Sequence, residues 1–284
     1  MDQRRRNGLA STMKGYVINL DRSVDRLRVF QARASSAGLD FERFPAIDGA
    51  SLEREIVAHW GQLCKTWGPL TSAEVATFLS HRGVWLKIAA GDDPWAFVVE
   101  DDVLFASDIA SILSSDEWLP KDIGLVKVET MLTRVELSAR VLGSRGGYKI
   151  RVLKENHNGA AGYLVSREGA RFLYEWSRTR CEPVDRLMFH PSQLAGEGKP
   201  IAQMTPALCI QDFHLLSRRE QEGAISTIGP ILNRRGGAGR DRRWPARLLR
   251  LVVRTTRDIR RFGLWASRQS IFERVEMSSF KFPR

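Results

Sequence analysis

Three consecutive carboxylates, Glu100, Asp101 and Asp102, stand at the end of the apolar run Trp95-Ala-Phe-Val-Val99. The run follows a turn signal, Gly91-Asp-Asp-Pro94, and is short and β-branched, which predicts a buried strand. Side chains alternate along a strand, so Glu100 and Asp102 share one face and Asp101 points to the other. Two carboxylates ~4 Å apart repel by roughly 4 kcal/mol at an effective dielectric of ~20. A hard divalent cation relieves that charge. Mg2+ or Mn2+ takes few protein carboxylates and completes its shell with water and substrate phosphates. Open α/β sheets bind ligands beyond the carboxyl ends of their strands, where this triplet falls. The competing reading is an acidic loop that caps the next helix or faces solvent.

The elements that must position these residues are read from periodicity and caps. Tyr16-Val-Ile-Asn-Leu20 predicts a first strand, followed by a helix over about 23–37 with Ser23 as N-cap and Gly38 at its end. Residues 41–49 predict a second strand, giving a βαβ unit and a parallel sheet. Thr71-Ser-Ala-Glu74 has the pattern of a capping box opening a helix to about residue 90, which carries Ser80, His81 and Trp85. Further strands are expected over 123–129, 148–152, 160–165 and 206–211, with a helix from 166 that carries Phe172, Leu173 and Trp176.

Four stretches, taken together, resemble glycosyltransferase family 25, which includes bacterial lipooligosaccharide-biosynthesis galactosyl- and glucosyltransferases. They are Val17-Ile-Asn-Leu-Asp-Arg-Ser-Val-Asp-Arg26 with Phe44-Pro-Ala-Ile-Asp-Gly49, Leu70-Thr-Ser-Ala-Glu74 through Ser80-His81 and Trp85, Ala96-Phe-Val-Val-Glu-Asp-Asp-Val103, and Gly159-Ala-Ala-Gly-Tyr-Leu-Val-Ser166 with Pro183-Val-Asp185. The resemblance covers roughly residues 14–230. It implies a GT-A-type (Rossmann-like) α/β fold with a mixed, mainly parallel sheet flanked by helices, a UDP-sugar donor, and Mn2+ or Mg2+ as cofactor. The chain departs from the family pattern at Ser72-Ala73, where a Gly commonly precedes the Glu, at Thr77, and at Gly159-Ala160 in place of Gly-Thr. These changes leave the carboxylates intact and bear on acceptor identity.

By this resemblance Glu100-Asp101-Asp102 looks like the family's Asp-X-Asp motif for metal and diphosphate, with Glu100 and Asp102 as metal ligands. Asn19, Asp21, Arg22 and Arg26 are expected where base and ribose dock, since short polar groups read their edges and arginine pairs with phosphate. Loop and cap chemistry is the alternative for these four. Ser80 and His81 are expected to line the donor pocket, against a structural role for His81. Glu129 ends a strand near the same rim and is read as a sugar contact or as a surface carboxylate. Asp185 is the preferred general base for an inverting transfer, against a helix-capping role. Gln211 and His214 follow the last strand, where a further diphosphate or metal contact is expected.

Composition bounds the rest. The chain has 284 residues, 43% hydrophobic and 27% charged, as in a globular protein. Three cysteines with no close spacing support neither a disulfide framework nor a zinc site, and point to a reducing cytoplasm. Residues 234–284 hold 15 Lys and Arg against four acids, which accounts for the whole net charge of +11 and leaves residues 1–233 balanced. The expected organisation is a flexible basic N-terminus (1–13), a glycosyltransferase domain (14–233) and a basic amphipathic helical tail (234–284). Within the tail, Arg247, Arg250, Arg254, Arg257, Arg261 and Arg268 fall on one helical stripe beside an apolar one. Residues 244–274 therefore read as a helix lying on an anionic membrane surface, near a lipid-linked saccharide acceptor at the inner face. Packing on the body and binding of nucleic acid are the alternatives. The balanced body disfavours a nucleic-acid-binding protein. A nucleotidyltransferase-like enzyme is disfavoured too, because no Gly- and basic-rich loop follows the first strand.

Overall fold

Apolar alternation in the first third of the chain builds one edge of the molecule. The computed structural model describes residues 13–194, 197–215 and 270–277. Strand β1 (Lys14–Leu20) is buried along its middle and leads through a turn into helix α1 (Val24–Ser36). Ser23 stands at the N-cap but its side chain makes no capping bond. Gly38 takes φ +70°, which lets the chain turn back into β2 (Phe41–Ala46). Next come α2 (Arg54–Gln62), α3 (Ser72–Ala89), β3 (Trp95–Glu100), β4 (Val103–Phe105) and α4 (Ile109–Ile112). Strands β5 (Leu125–Lys127), β6 (Glu129–Thr130), β7 (Arg134–Ser138), β8 (Gly143–Arg145), β9 (Tyr148–Val152) and β10 (Gly162–Ser166) follow. Helices α5 (Arg167–Trp176), α6 (Val184–Phe189) and α7 (Pro191–Leu194) precede β11 (Ile201–Thr205), β12 (Cys209–Gln211) and β13 (Ser270–Arg274).

The eight-stranded sheet has the order β2-β1-β3-β10-β5-β11-β9-β8. It is mixed, as expected, but not mainly parallel in its pairings. Three are parallel (β1 with β2, β1 with β3, β5 with β11) and four antiparallel, because β10 and β9 run against their neighbours. Along β3 the side chains alternate between two apolar layers. Ala96 and Val98 face the layer containing Phe78 and Trp85 of α3, and Trp95, Phe97 and Val99 face the layer containing Phe30 of α1 and Ile109 of α4.

Three strands of this sheet cross into a second, smaller one, ordered β4-β12-β6. Strand β3 passes through Asp101 and Asp102 into β4, β5 through Val128 into β6, and β11 through Pro206 into β12. Val128 is the pivot of the middle crossing. Its N–H donates to Gly162 O (3.1 Å) in the large sheet, and its carbonyl accepts from Leu208 N (2.8 Å) in the small one. The expected strand over 123–129 is thus two short strands.

Other expectations are corrected by the same pairing. Residues 270–274 form β13, antiparallel to β7, rather than the end of a helix. The Arg247–Arg268 stripe lies outside the described residues, as do residues 1–12 and 216–233. Met13, expected to be flexible, is anchored by its N–H to Leu113 O (3.1 Å). Among the described residues no helix is long and apolar enough to cross a membrane.

Candidate active site at the sheet crossing

The alternation along β3 decides where each carboxylate goes. Glu100 continues the face of Ala96 and Val98 and meets α3, while Asp101 turns to the face of α1. Asp102, beyond the strand, comes back beside Glu100. The Gln211 side-chain amide at the end of β12 lies 3.4 Å from Glu100 Oε2 and 3.3 Å from each oxygen of Asp102. The pair expected to share a face therefore converges on one neutral donor. Burial and then the Glu100 charge push the Asp102 carboxyl up to about 7, against the pull of Arg26 and Gln211. Negative charge is in surplus at this corner.

Asp101 has a different job. Asn19 Nδ2 donates to Asp101 Oδ2 (2.6 Å) and to Ser23 O (3.1 Å), and Arg26 pairs with Asp101 Oδ1 and with Asp102 Oδ2 (3.1 Å). Asn19 Oδ1 accepts from Arg43 Nε (3.0 Å), and Arg43 also holds Asp21 (2.5 Å). Asn19 and Asp101 are buried inside this lattice, whereas Asp21 and Arg26 reach the surface. Burial raises the Asp101 pKa, while Asn19 and Arg26 oppose it. Arg22 is turned away from the carboxylates and pairs with Asp48 (2.6 Å).

On the α3 side, Ser80 spends its hydroxyl on Ala76 O (2.7 Å) and accepts from Ile47 N–H (2.9 Å), which fixes the loop after β2. His81 is buried with Nδ1 3.0 Å from the Tyr163 hydroxyl and Nε2 3.5 Å from Glu100 Oε1. Nε2 has no hydrogen-bond partner of its own.

On the β10 side a fully buried ion pair lies behind the carboxylates. Lys127 Nζ is 2.7 Å from Glu129 Oε2 and donates to Gly159 O (2.5 Å), and it sits 4.6 Å from the Phe189 ring centroid. Glu129 is no surface carboxylate. It accepts from Ala161 N–H (3.0 Å), its Oε1 has no partner, and burial first, then the Glu100 charge, raise its pKa against Lys127. Gly159 has φ +88°, and a Cβ there would lie 2.6 Å from Glu129 Oε1, so only glycine fits. Its N–H donates to Asp185 Oδ2 (3.2 Å), and Asp185 Oδ1 accepts from Arg186 N–H (2.8 Å). Asp185 is thereby tied two residues from Ala161, whose carbonyl accepts from Glu100 N–H (3.0 Å).

Among the described residues no three His, Cys, Asp or Glu side chains gather as a metal cage. His214, half-buried on the turn after β12, is not grouped with Glu100 and Asp102. Two carboxylates with surplus charge do fit a cation that draws the rest of its shell from water and phosphate.

Residues 12–188 match the family described as Glycosyltransferase family 25 (LPS biosynthesis protein), well over half of the chain. This protein belongs to glycosyltransferase family 25. The chain is 30% identical over 226 residues to the lacto-N-neotetraose biosynthesis glycosyltransferase LgtB of Neisseria gonorrhoeae, covering 76% of this chain and 80% of that one. It is 28% identical to LgtE of the same organism (88% and 90% covered) and 28% identical to the lipooligosaccharide biosynthesis protein lic2B of Haemophilus influenzae (70% and 76%). As a glycosyltransferase it brings Glu100, Asp102 and Gln211 together, with Arg26 and His81 at their flanks, and Asp185 one short loop away.

Four of its site residues escaped the sequence reading. Tyr163 and Arg43 orient His81 and Asn19 from other strands, which no local pattern reveals. Lys127 did leave a signal: in Val126-Lys-Val-Glu129 the opposite charges two apart share one face of an apolar strand. Gly159 and Tyr163 were visible only as parts of one motif, with no role attached to either.

Proposed function

We propose that this enzyme has a GT-A-type architecture and moves a hexose, galactose or glucose, from a UDP-sugar to a saccharide acceptor in lipopolysaccharide or related cell-surface glycan synthesis. The observation that carries the reading is the convergence of Glu100 and Asp102 at the carboxyl end of β3, with Asp102 pushed up to about 7 by burial and its neighbour. Glu100 and Asp102 would hold Mn2+ or Mg2+, which when bound offsets charge on the departing diphosphate. Arg26, paired with Asp101 and Asp102 at the surface, supplies a further positive group on the same side. Asp185, fixed by two backbone N–H groups, takes the proton of the acceptor hydroxyl. That oxygen then bonds to the anomeric carbon as its bond to the diphosphate breaks, with inversion, and the electron pair leaves with UDP. A positioned base of this kind contributes roughly 10²–10⁴ in rate.

The relatives are named for lacto-N-neotetraose and lipooligosaccharide biosynthesis, which supports a surface-glycan acceptor. Asp102→Asn is expected to cut transfer from UDP-galactose or UDP-glucose by orders of magnitude with Mn2+ present, with the thermal melt of the free protein retained. Near-normal turnover would refute the cation assignment. The basic segment over 244–269 would hold the enzyme at an anionic leaflet, about 1 kcal/mol per Arg. In vesicle flotation, replacing Arg247, Arg250, Arg254 and Arg257 with Gln should release the protein into the soluble fraction, and equal flotation rejects the anchor.

A further inference from the structure

Glu182 is a buried carboxylate that the mechanism does not use. It accepts from the backbone N–H groups of Lys65 (3.2 Å) and Thr66 (3.0 Å), and from the Cys64 thiol (3.3 Å). Cys181 N–H reaches Leu63 O (3.4 Å) and Gln193 reaches the Thr66 hydroxyl (3.3 Å). The loop between α2 and α3 is thus pinned against the start of α6, the helix that bears Asp185. The residue this loop presents is Trp67, 37% exposed despite its size. The guanidinium of Arg186, next in sequence to Asp185, lies 4.0 Å from the Trp67 ring centroid. Arg186 Nε has no hydrogen-bond partner among the described residues, and the guanidinium lies against the indole face.

The placement has a direction. In the sheet β1 lies on one side of β3 and β10 on the other. Asn19 and Arg26 serve the β1 side, while Gly159, just ahead of β10, holds Asp185. From Asp185 the chain passes to Arg186, and its guanidinium leads to Trp67 at the surface. If Asp185 meets the acceptor hydroxyl, Arg186 and Trp67 are the neighbouring surface groups on which the rest of the acceptor can lie. An indole face backed by a cation suits the C–H face of a pyranose, which is apolar in its middle and ringed by hydroxyls.

We propose that Trp67, backed by Arg186 and pinned through Glu182, is the stacking platform of the acceptor-saccharide subsite. The inference rests on Asp185 being the base. Saturation-transfer NMR with methyl β-glycosides of glucose, galactose and N-acetylglucosamine, with diamagnetic Mg2+ and UDP present, reads the subsite without turnover. At least one glycoside should saturate from the wild-type protein, and Trp67→Ala should weaken its binding about tenfold. Trp67→Phe, which keeps a smaller ring, should lose less, and affinity for UDP-glucose and UDP-galactose should hold in both variants. No saturation in the wild type, or equal saturation in Trp67→Ala, overturns the proposal. So does an equal loss of UDP-sugar affinity, which would mark collapse of the loop. Normal transfer by Asp185→Asn in a protein that passes these tests would remove the base and leave the subsite standing.

Discussion

The hydrogen bonds around Tyr163 favour one tautomer of His81. Trp85 Nε1 donates to the Tyr163 hydroxyl oxygen (3.0 Å), so the Tyr163 hydrogen is free to go to His81 Nδ1 (3.0 Å). That tautomer carries its ring hydrogen on Nε2, which lies 3.5 Å from Glu100 Oε1 without a hydrogen bond to it. In that tautomer His81 presents an N–H beside the Glu100 carboxylate. Tyr163→Phe keeps the ring packing and removes only the hydroxyl, leaving Nδ1 unpaired and the tautomer unselected. Mn2+ affinity, read by electron paramagnetic resonance on the protein without nucleotide, should fall about tenfold, the scale for losing an outer partner of a ligand. Unchanged affinity would detach His81 from the proposed cation site. The sequence exposed His81 as a motif residue but not this role, because the Tyr163 hydroxyl arrives from a strand 82 positions later.

Helix α3 carries His81 and Ser80, and its start is secured locally. Glu74 N–H donates to Thr71 Oγ1 (3.2 Å) while Thr71 N–H donates to Glu74 Oε2 (2.8 Å), the reciprocal box read from the sequence. Thr71→Ala should cost about 1 kcal/mol in urea unfolding, with an unchanged m-value and near-normal transfer. A loss of activity without loss of stability would show that the cap belongs to the site instead. Elements of this kind were legible because their signals span four residues. The small sheet was not. Val128 ends β5 because its backbone bonds Gly162 and Leu208, and β13 pairs with β7 more than 130 residues back. Helix α2 also escaped, since its N-cap Glu53 makes no side-chain capping bond. The three carboxylates were legible as a cluster. Their division into a convergent pair and a buried strut followed from strand alternation, but the partners Gln211, Asn19 and Arg26 come from three other elements.

Over the whole molecule, buried titratable groups set opposing responses to acid. His157 is buried with Nδ1 2.8 Å from Gln203 Oε1, and burial first, then the Lys127 charge, hold its pKa down to about 3. His190 and His214 are lowered in the same direction, chiefly by burial. Between about pH 6.5 and 3 the unfolded chain protonates His157 while the folded one does not, so this group subtracts stability as pH falls, by about 1.4 kcal/mol per unit. Asp101, Asp102 and Glu129 act the other way. Their raised pKa values mean that the folded state takes up protons first, which adds stability on acidification through that range. The overall curve is a resultant, and a difference between variants isolates one member. His157→Gln keeps a partner for Gln203 and removes the titration. Its stability relative to wild type should improve steadily from pH 6.5 to 4.5 in urea unfolding, by about 1.4 kcal/mol per unit, and stay constant above pH 7.5. A difference that does not change with pH would mean that His157 titrates alike in the folded and unfolded chain, and that burial beside Lys127 does not hold it neutral.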